Sequence, residues 1–259
     1  MNALARTDQS RSAGDLTGRR ALVTGAGRGI GLAIAQDLAA AGAHVVFCAR
    51  SADEIDKAVQ YVRDLGHSGE ALGMDVTDTN TVQQHISAHA PFDILVNNAG
   101  TNRPKPLGEI TEEDYDRVMD LNLRSVVFLT QAVTGRMIEA GVKGSVINMS
   151  SQMGHTGAAN RTIYCASKWA LEGFTKSLAV ELGLHGIRVN TVCPTFVETP
   201  LTKPFFENPE FKAAVLSKIV LGRLGTVDDI VGAVRFLASD ASSLMTGSAM
   251  KLDGGWTAH

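Results

Sequence analysis

A tyrosine and a lysine four residues apart are the pair in this chain best suited to acid–base chemistry. Tyr164 and Lys168 stand in a proline-free run with helical apolar spacing, which predicts one helix and a shared face for both side chains. A free phenol has a pKa of about 10 and is a poor base at neutral pH. An ammonium group one helical turn away favours the phenolate, so the spacing predicts a tyrosine that exchanges its proton nearer to neutral pH.

The elements that must position this pair alternate along the whole chain. Six or seven apolar runs of strand length, from Ala21–Thr24 to Ala249–Leu252, are each followed by an amphipathic helix. This alternation predicts an α/β fold with a doubly wound parallel sheet and helices on both faces. Without an internal repeat or a composition break, we expect a single catalytic domain over residues 17–259 after a flexible leader over residues 1–16.

Local signals mark where several of these helices begin. Ser51, Thr111 and Thr226 are each followed three residues later by an acidic residue, which predicts capped helix starts. The segment 194–222 carries four prolines and is predicted to be irregular and to act as a lid over the substrate.

A glycine-rich loop joins the first strand to the first helix. Its spacing is Gly-x-x-x-Gly-x-Gly, which differs from the usual Gly-x-Gly-x-x-Gly fingerprint. The physical basis is the same, because glycines allow close backbone approach and free amides at a helix N-terminus attract a pyrophosphate. We therefore predict a dinucleotide site with contacts from Gly25, Arg28, Gly29, Ile30 and Gly31.

The end of the second strand bears on which dinucleotide is bound. An acid usually stands there to hold the ribose 2′-hydroxyl, but this chain has Arg50, and Asp53 and Glu54 are explained as first-turn helix residues. Together with Arg28, Arg50 favours a 2′-phosphate and hence NADP. The alternative is a solvated Arg50 with loose specificity, which leaves NAD open.

Three motifs in order now point to a family. With the glycine loop, the run Asn97–Gly100 and Tyr164-x-x-x-Lys168, the chain resembles the short-chain dehydrogenase/reductase family from about Thr17 to Trp256. The resemblance implies a Rossmann-type fold and a catalytic set of Asn122, Ser151, Tyr164 and Lys168. Ser151 stands thirteen residues before Tyr164 and matches the family serine better than its neighbour Ser150 does.

The same resemblance implies further cofactor contacts. It places Asp75 and Val76 near adenine, Asn98 beside the adenosine ribose, and Val197 and Thr199 near the nicotinamide carboxamide. Tyr164 and Lys168 are also expected to contact the cofactor, with Lys168 on the nicotinamide ribose. The chain departs from the family pattern at Thr195, where glycine is usual, and this bears on how the substrate is placed.

The resemblance also implies a chemical role for each of the four catalytic residues. Tyr164 would protonate the carbonyl oxygen during reduction and take the alcohol proton during oxidation. Ser151 would donate a hydrogen bond to that oxygen. Lys168 would lower the pKa of Tyr164, and Asn122 would hold a water molecule that relays protons to Lys168.

The substrate is less clearly indicated than the reaction. The lining is expected from Thr101–Leu107, Gln152–Arg161 and the segment 194–222, whose polar groups suit a sugar, polyol or hydroxy acid. Four phenylalanines favour an acyl substrate or pack within the lid: Phe196, Phe205, Phe206 and Phe211. The C-terminal end resembles sugar- and polyol-oxidising members. The alternatives are a 3-oxoacyl-thioester reductase and a non-catalytic dinucleotide-binding sensor.

Composition limits the partners. The net charge of −3 and the absence of a long apolar run give no sign of nucleic-acid or membrane binding. Three cysteines without metal-type spacing predict reduced thiols, a cytoplasmic protein and no metal site, and His85 and His89 are taken as a solvated helix face. The apolar helices around Asn122 and Tyr164, which pack between subunits in the family, predict a homotetramer.

Overall fold

Seven parallel strands form one sheet at the centre of the protein. The structure, a computed structural model, describes residues 14–200 and 202–258. The strands are β1 (Arg20–Thr24), β2 (His44–Ala49), β3 (Gly69–Gly73), β4 (Ile94–Asn97), β5 (Ser145–Met149), β6 (Arg188–Pro194) and β7 (Ala249–Leu252). All pairings are parallel, which confirms the predicted Rossmann-type doubly wound sheet.

The order of the strands creates a crevice at one edge of the sheet. The order is β3-β2-β1-β4-β5-β6-β7, so the chain winds outward in one direction from β1 and in the other from β4. In such sheets ligands bind outside the carboxyl ends of the strands at this point of reversal. The glycine loop follows β1 and Asn98 follows β4, so both lie at the reversal point.

Eight α-helices of the described residues cover the two faces of the sheet. They are α1 (Gly29–Ala40), α2 (Ala52–Asp64), α3 (Thr79–Ala88), α4 (Glu112–Met119), α5 (Ser125–Glu139), α6 (Thr162–Leu182), α7 (Pro209–Leu216) and α8 (Asp228–Ala238). One buried apolar cluster joins α1, α2 and α8 to the sheet, and a second joins α3, α5 and α6. None of the described helices is long and apolar enough to cross a membrane.

The folded part of the chain includes the last residue assigned to the leader. Residues 1–13 of that leader lie outside the described residues. Leu16 is 1% exposed, packs in the first apolar cluster and donates a backbone hydrogen bond to Ala41.

Helix starts follow the predicted caps only in part. Thr111 forms the predicted capping box with Asp114. Ser51 is the N-cap of α2, but its side chain makes no capping hydrogen bond, so that capping box was predicted wrongly. Helix α8 starts later than expected, because Val227 is its N-cap and Asp229 accepts hydrogen bonds from both the amide and the hydroxyl of Thr226.

The long helix predicted around Asn122 is interrupted. A wide π-helical turn over Asp120–Arg124 separates α4 from α5, and Asn122 lies in its middle. Turns of this kind are rare in proteins, and those that do occur are frequently found at functional sites. They direct a side chain differently from a regular helix.

The segment 194–222 is more regular than its prolines predicted. It contains a 3₁₀ helix over Lys203–Glu207 and the helix α7, which begins at Pro209 with Asn208 as its cap. Proline fits the first turn of a helix, where its missing N–H is not needed. The ring of Phe196 lies 5.8 to 5.9 Å from those of Phe206, Phe211 and Trp256, so these rings pack with each other.

Candidate active site

A cavity of about 530 Å³ opens at the carboxyl ends of β1, β4, β5 and β6. Its lining includes all but one of the residues predicted for the site: Gly25, Arg28, Gly29, Ile30, Gly31, Arg50, Asp75, Val76, Asn98, Ser151, Tyr164, Lys168, Val197 and Thr199. Asn122 lies behind this lining and is 1% exposed. The fold therefore gathers residues from seven separate segments into one place.

Threonine and asparagine side chains fix the glycine loop. The hydroxyl of Thr24 accepts hydrogen bonds from the amides of Asn98 and Ala99, both at 3.0 Å. The side-chain amide of Asn98 donates to the carbonyl of Thr24 at 2.9 Å. Asn98, expected beside the adenosine ribose, thus also ties the end of β4 to the loop after β1.

The loop fits a closely bound anionic group. A Cβ at Gly31 would overlap the carbonyl oxygen of Gly25, so only glycine allows this approach of helix and loop. Arg28, the N-cap of α1, makes no side-chain hydrogen bond to the helix. The first amides of α1 therefore face the cavity without a side-chain cap, as a pyrophosphate site requires.

The residues after β2 form the other end of this site. The side chain of Arg50 is 68% exposed, and its Nη1 lies 4.0 Å from Oδ2 of Asp75. The other oxygen of Asp75 accepts hydrogen bonds from the amide and hydroxyl of Thr77 at 3.0 and 2.7 Å. Glu54 also lines the cavity and lies against Gly27. The sequence predicts Glu54 only as a first-turn helix residue and does not indicate this position.

Ser151 and Tyr164 meet in the cavity. Burial raises the pKa of Tyr164, while a hydrogen bond with Ser151 and the charge of Arg161 lower it in part and Cys165 raises it. The Ser151 hydroxyl donates to Oε1 of Gln152 at 2.7 Å and accepts from the amide of Met153 at 3.1 Å. Ser150, the neighbour that the spacing disfavoured, has a buried hydroxyl without a partner among the described residues.

Lys168 lies beneath the tyrosine. Its Nζ is 5.6 Å from the centroid of the Tyr164 ring and donates to the carbonyl of Met149 at 2.8 Å. Burial lowers the pKa of Lys168 to about 8, and electrostatic interactions with Cys193 and Glu172 oppose this lowering in part. Tyr164 therefore does not have the lowered pKa that the sequence predicted, because burial outweighs the hydrogen bond with Ser151 and the charge of Arg161.

The side chain of Asn122 holds two neighbouring segments together. Its oxygen accepts from the amide of Thr101 at 2.8 Å, and its nitrogen donates to the carbonyl of Thr101 at 2.9 Å and to the Ser167 hydroxyl at 3.1 Å. The relay water that we expected at this residue stays a prediction, because the side-chain oxygen accepts one hydrogen bond here and has a second lone pair. The contacts fix the loop after β4 against α6.

A buried group of titratable residues beside Lys168 was not predicted. Sγ of Cys193 lies 3.2 Å from Oε1 of Glu172, and Nε2 of His155 lies 3.4 Å from Cys193 Sγ and 3.5 Å from Glu172 Oε1. Burial, with the charge of Glu172 as the next contribution, raises the pKa of Cys193 to about 12. These residues come from three segments, so no sequence spacing could have revealed the cluster.

Four polar atoms around the cavity lack a hydrogen-bond partner among residues 14–200 and 202–258. They are Oδ1 of Asn102, Oγ of Ser150, Nε2 of Gln152 and Oγ1 of Thr195, all buried and all on residues that line the cavity. Buried polar groups are usually satisfied, so these atoms indicate a polar ligand. The set offers an acceptor, a donor and two hydroxyl groups that can do either.

Comparisons with known proteins agree with this geometry. A family model described as "Enoyl-(Acyl carrier protein) reductase" matches residues 25–257. L-xylulose reductase from Bos taurus is 42% identical, with 94% of this chain and 98% of that protein covered. D-erythrulose reductase from Gallus gallus is 40% identical, with 92% and 96% covered.

A solved structure matches the fold across the same length. It is a gluconate 5-dehydrogenase from Burkholderia cenocepacia in complex with NADP and tartrate, 35% identical, with a TM-score of 0.92. The match covers 95% of this chain and 98% of that one. Motifs, fold and similarity along nearly the entire length agree, and the chain belongs to the short-chain dehydrogenase/reductase family.

Proposed function

We propose that the protein is an NADP(H)-dependent oxidoreductase that interconverts a carbonyl group and a secondary alcohol on a sugar, polyol or hydroxy acid. The observation that carries this proposal is the joining of two features in one cavity. One is the Tyr164–Ser151 pair above Lys168, and the other is the set of unpartnered polar atoms on Asn102, Gln152 and Thr195.

The residues present suit a dinucleotide with a 2′-phosphate. The uncapped start of α1 and Gly25, Gly29 and Gly31 would hold the pyrophosphate, with Asp75, Val76 and Asn98 at the adenosine end and Val197 and Thr199 at the nicotinamide end. Arg28 and Arg50 would pair with the 2′-phosphate, because guanidinium groups match phosphate geometry. The NADP in the Burkholderia relative supports this preference.

The protein's own residues would handle the proton. When bound, the nicotinamide ring supplies the hydride to the carbonyl carbon or accepts it in the reverse direction. In reduction Tyr164 gives its proton to the carbonyl oxygen, so the carbonyl gains two electrons and two hydrogens and becomes a CH–OH group. Ser151 donates a hydrogen bond to that oxygen, and the charge of Lys168 stabilises the phenolate that remains.

The substrate class rests on the unpartnered atoms. A hydroxyl group that leaves water needs a new partner, and Asn102, Gln152 and Thr195 supply three. The similarity to L-xylulose reductase and D-erythrulose reductase supports a ketose as the substrate. The similarity to the gluconate 5-dehydrogenase supports a hydroxy acid. Phe196, Phe206 and Phe211 pack against each other around α7, and Phe196 and the exposed Phe205 also line the cavity, so 3-oxoacyl thioesters belong among the substrates to be tested.

We also propose a cytoplasmic homotetramer. Cys48 and Cys193 are buried reduced thiols, as is typical of proteins in a reducing compartment. The assembly is supported by large apolar side chains left exposed on α5 and α6, among them Phe128, Trp169 and Val180.

Absorbance of the reduced nicotinamide tests the proposed function. We expect turnover with NADPH on ketoses or keto acids, and with NADP on the matching alcohols, but not on 3-oxoacyl thioesters. Tyr164→Phe should lose nearly all turnover and keep its affinity for NADPH, because only the transferable proton is removed. Near wild-type activity in Tyr164→Phe would contradict the assignment, and silence of the wild type across all substrates would favour a binding protein.

A further inference from the structure

An arginine without a counter-ion stands at the mouth of the catalytic pocket. Arg161 directly precedes α6, lies three residues before Tyr164 and lines the same cavity. Residues three apart at a helix start lie on the same side of the helix, so the guanidinium of Arg161 and the phenol of Tyr164 border the same part of the cavity. The charge of Arg161 is close enough to lower the pKa of Tyr164, which places it at the reacting end of the cavity.

The guanidinium is partly desolvated and unpaired. Its hydrogen bond runs from Nη1 to the backbone carbonyl of Asn160 at 3.2 Å, and within the described part of the chain no carboxylate lies at ion-pair distance from it. Burial lowers the pKa of Arg161 from its usual value, which reflects the cost of holding this charge away from water. A cation held in this way is best stabilised by a bound anion.

A residue in the left-handed backbone region directly precedes the arginine. Asn160 has φ of 59° and is the one described non-glycine residue in the left-handed region. Such conformations cost energy and are kept where the surrounding structure requires them, often at binding sites. Here the strained residue sets the direction of the chain immediately before Arg161.

The anion that Arg161 would take is not a cofactor phosphate. Arg28 and Arg50 follow β1 and β2, whereas Arg161 follows β5, on the opposite side of the reversal between β1 and β4. The unpartnered atoms of Asn102, Gln152 and Thr195 share its end of the cavity with Tyr164 and Ser151. A ligand that satisfies both sets carries hydroxyl groups and a negative charge.

We propose that Arg161 selects a polyhydroxy carboxylate, a keto-aldonate or its aldonate product, over a neutral ketose or polyol. The inference rests on the proposed function and narrows its substrate class. A guanidinium binds a carboxylate through two parallel hydrogen bonds, which gives both affinity and orientation at the carbonyl to be reduced. A phosphate ester would offer a similar charge, and the test separates the two.

The ratio of kcat/KM for 5-keto-gluconate to that for a neutral ketose of equal length, both with NADPH, tests the proposal. We expect a ratio above one in the wild type and a fall of about tenfold or more in Arg161→Gln, as for the loss of one charge-assisted hydrogen bond. Arg161→Lys should keep part of the preference. Arg117→Gln, an exposed arginine of α4, should leave the ratio unchanged.

Other outcomes would overturn the proposal. They are an equal preference in the wild type, an equal loss for both substrates in Arg161→Gln, or a stronger preference for the ketose phosphate than for the keto-acid. Calorimetric titration of the NADP-loaded enzyme with gluconate tests the carboxylate site separately from the proposed oxidoreductase activity. Binding that weakens in Arg161→Gln would support the carboxylate site even if no substrate turned over, and gluconate that does not bind the wild type would refute it.

Discussion

At the scale of single residues, the state of the acid–base pair favours reduction at neutral pH. The raised pKa of Tyr164 keeps its proton in place, and the pKa of Lys168 near 8 keeps that side chain charged below this pH. As pH rises through about 8, Lys168 loses the charge that stabilises the phenolate formed when Tyr164 gives up its proton. We expect kcat for carbonyl reduction with saturating NADPH to fall above this pH, whereas a flat profile between about pH 7 and pH 10 would contradict the role of Lys168.

A substitution of Glu172 tests whether the charge of Lys168 causes this fall in kcat at high pH, which is the alkaline limb of the pH profile. The charge of Glu172 raises the pKa of Lys168, so Glu172→Gln should lower that pKa and move the limb to lower pH. Glutamine has the same length and can still accept from Thr191, which donates to the carboxylate at 3.0 Å. Glu181→Gln, an exposed change on the same helix, should leave the limb in place.

A prediction about cofactor preference also belongs to the scale of single residues. Arg50→Ala should raise KM for NADP roughly tenfold with little change for NAD, because the phosphate loses one charge-assisted hydrogen bond. Initial rates with each cofactor measure this ratio. Lys57→Ala removes an equal charge from an exposed position on α2 and should leave the ratio unchanged. Equal effects of Arg50→Ala on both cofactors would mean that Arg50 does not read the 2′-phosphate.

At the scale of elements, the contact between the glycine loop and α1 tolerates no side chain. Gly31→Ala would place a Cβ against the carbonyl of Gly25 and the amide of Asn98, and loop and helix would have to separate. We expect a loss of about 1 to 3 kcal/mol in the free energy of unfolding and a large loss of NADP affinity, measured by denaturation and by titration.

Gly232→Ala in α8 is the matched control for this change. A Cβ there meets nothing within 4 Å, and the helical backbone suits alanine. The free energy of unfolding should rise by about 0.5 to 1 kcal/mol, because alanine loses less conformational freedom on folding. If Gly31→Ala bound NADP as tightly as Gly232→Ala, the loop would not be the phosphate site.

Elements with strong periodicity could be predicted from the sequence, and elements shaped by tertiary contacts could not. Alternating apolar runs and helices identified the parallel sheet, whereas the glycine loop indicated a dinucleotide site after β1 but not the strand order that places β4 beside it. The π-helical turn at Asn122 escaped prediction, since its form depends on hydrogen bonds to Thr101 and Ser167 from distant segments. The same reason hid the His155–Glu172–Cys193 cluster.

The prediction for the segment 194–222 was incomplete for a different reason, because it relied on the prolines. They indicated irregular chain, yet Pro209 begins a helix capped by Asn208, and Phe196 anchors the segment to Trp256. Proline marks where a helix cannot continue and also where one can start, so composition alone did not separate the two.

At the scale of the whole molecule, part of the exposed apolar surface lies on α5 and α6, the helices that we propose as a subunit interface. Phe128 on α5 is 37% exposed, and Trp169 and Val180 on α6 are 54% and 81% exposed. Asn122 and Tyr164 belong to these same two stretches of chain, so an interface there would involve the elements that carry two of the expected catalytic residues. Contact between subunits would therefore support the geometry of the pocket.

A charge placed on this surface tests the proposed homotetramer. Phe128→Glu should reduce the mass in solution from a fourfold multiple of the 27.4 kDa chain, because a buried unpaired carboxylate is costly at an interface. Light scattering measures the mass, and activity at matched concentrations shows whether the pocket needs the assembly. Leu65→Glu, on an exposed residue that follows α2, should leave the mass unchanged. A wild type that elutes as a monomer would refute the tetramer and leave α5 and α6 with an exposed apolar face that needs another partner.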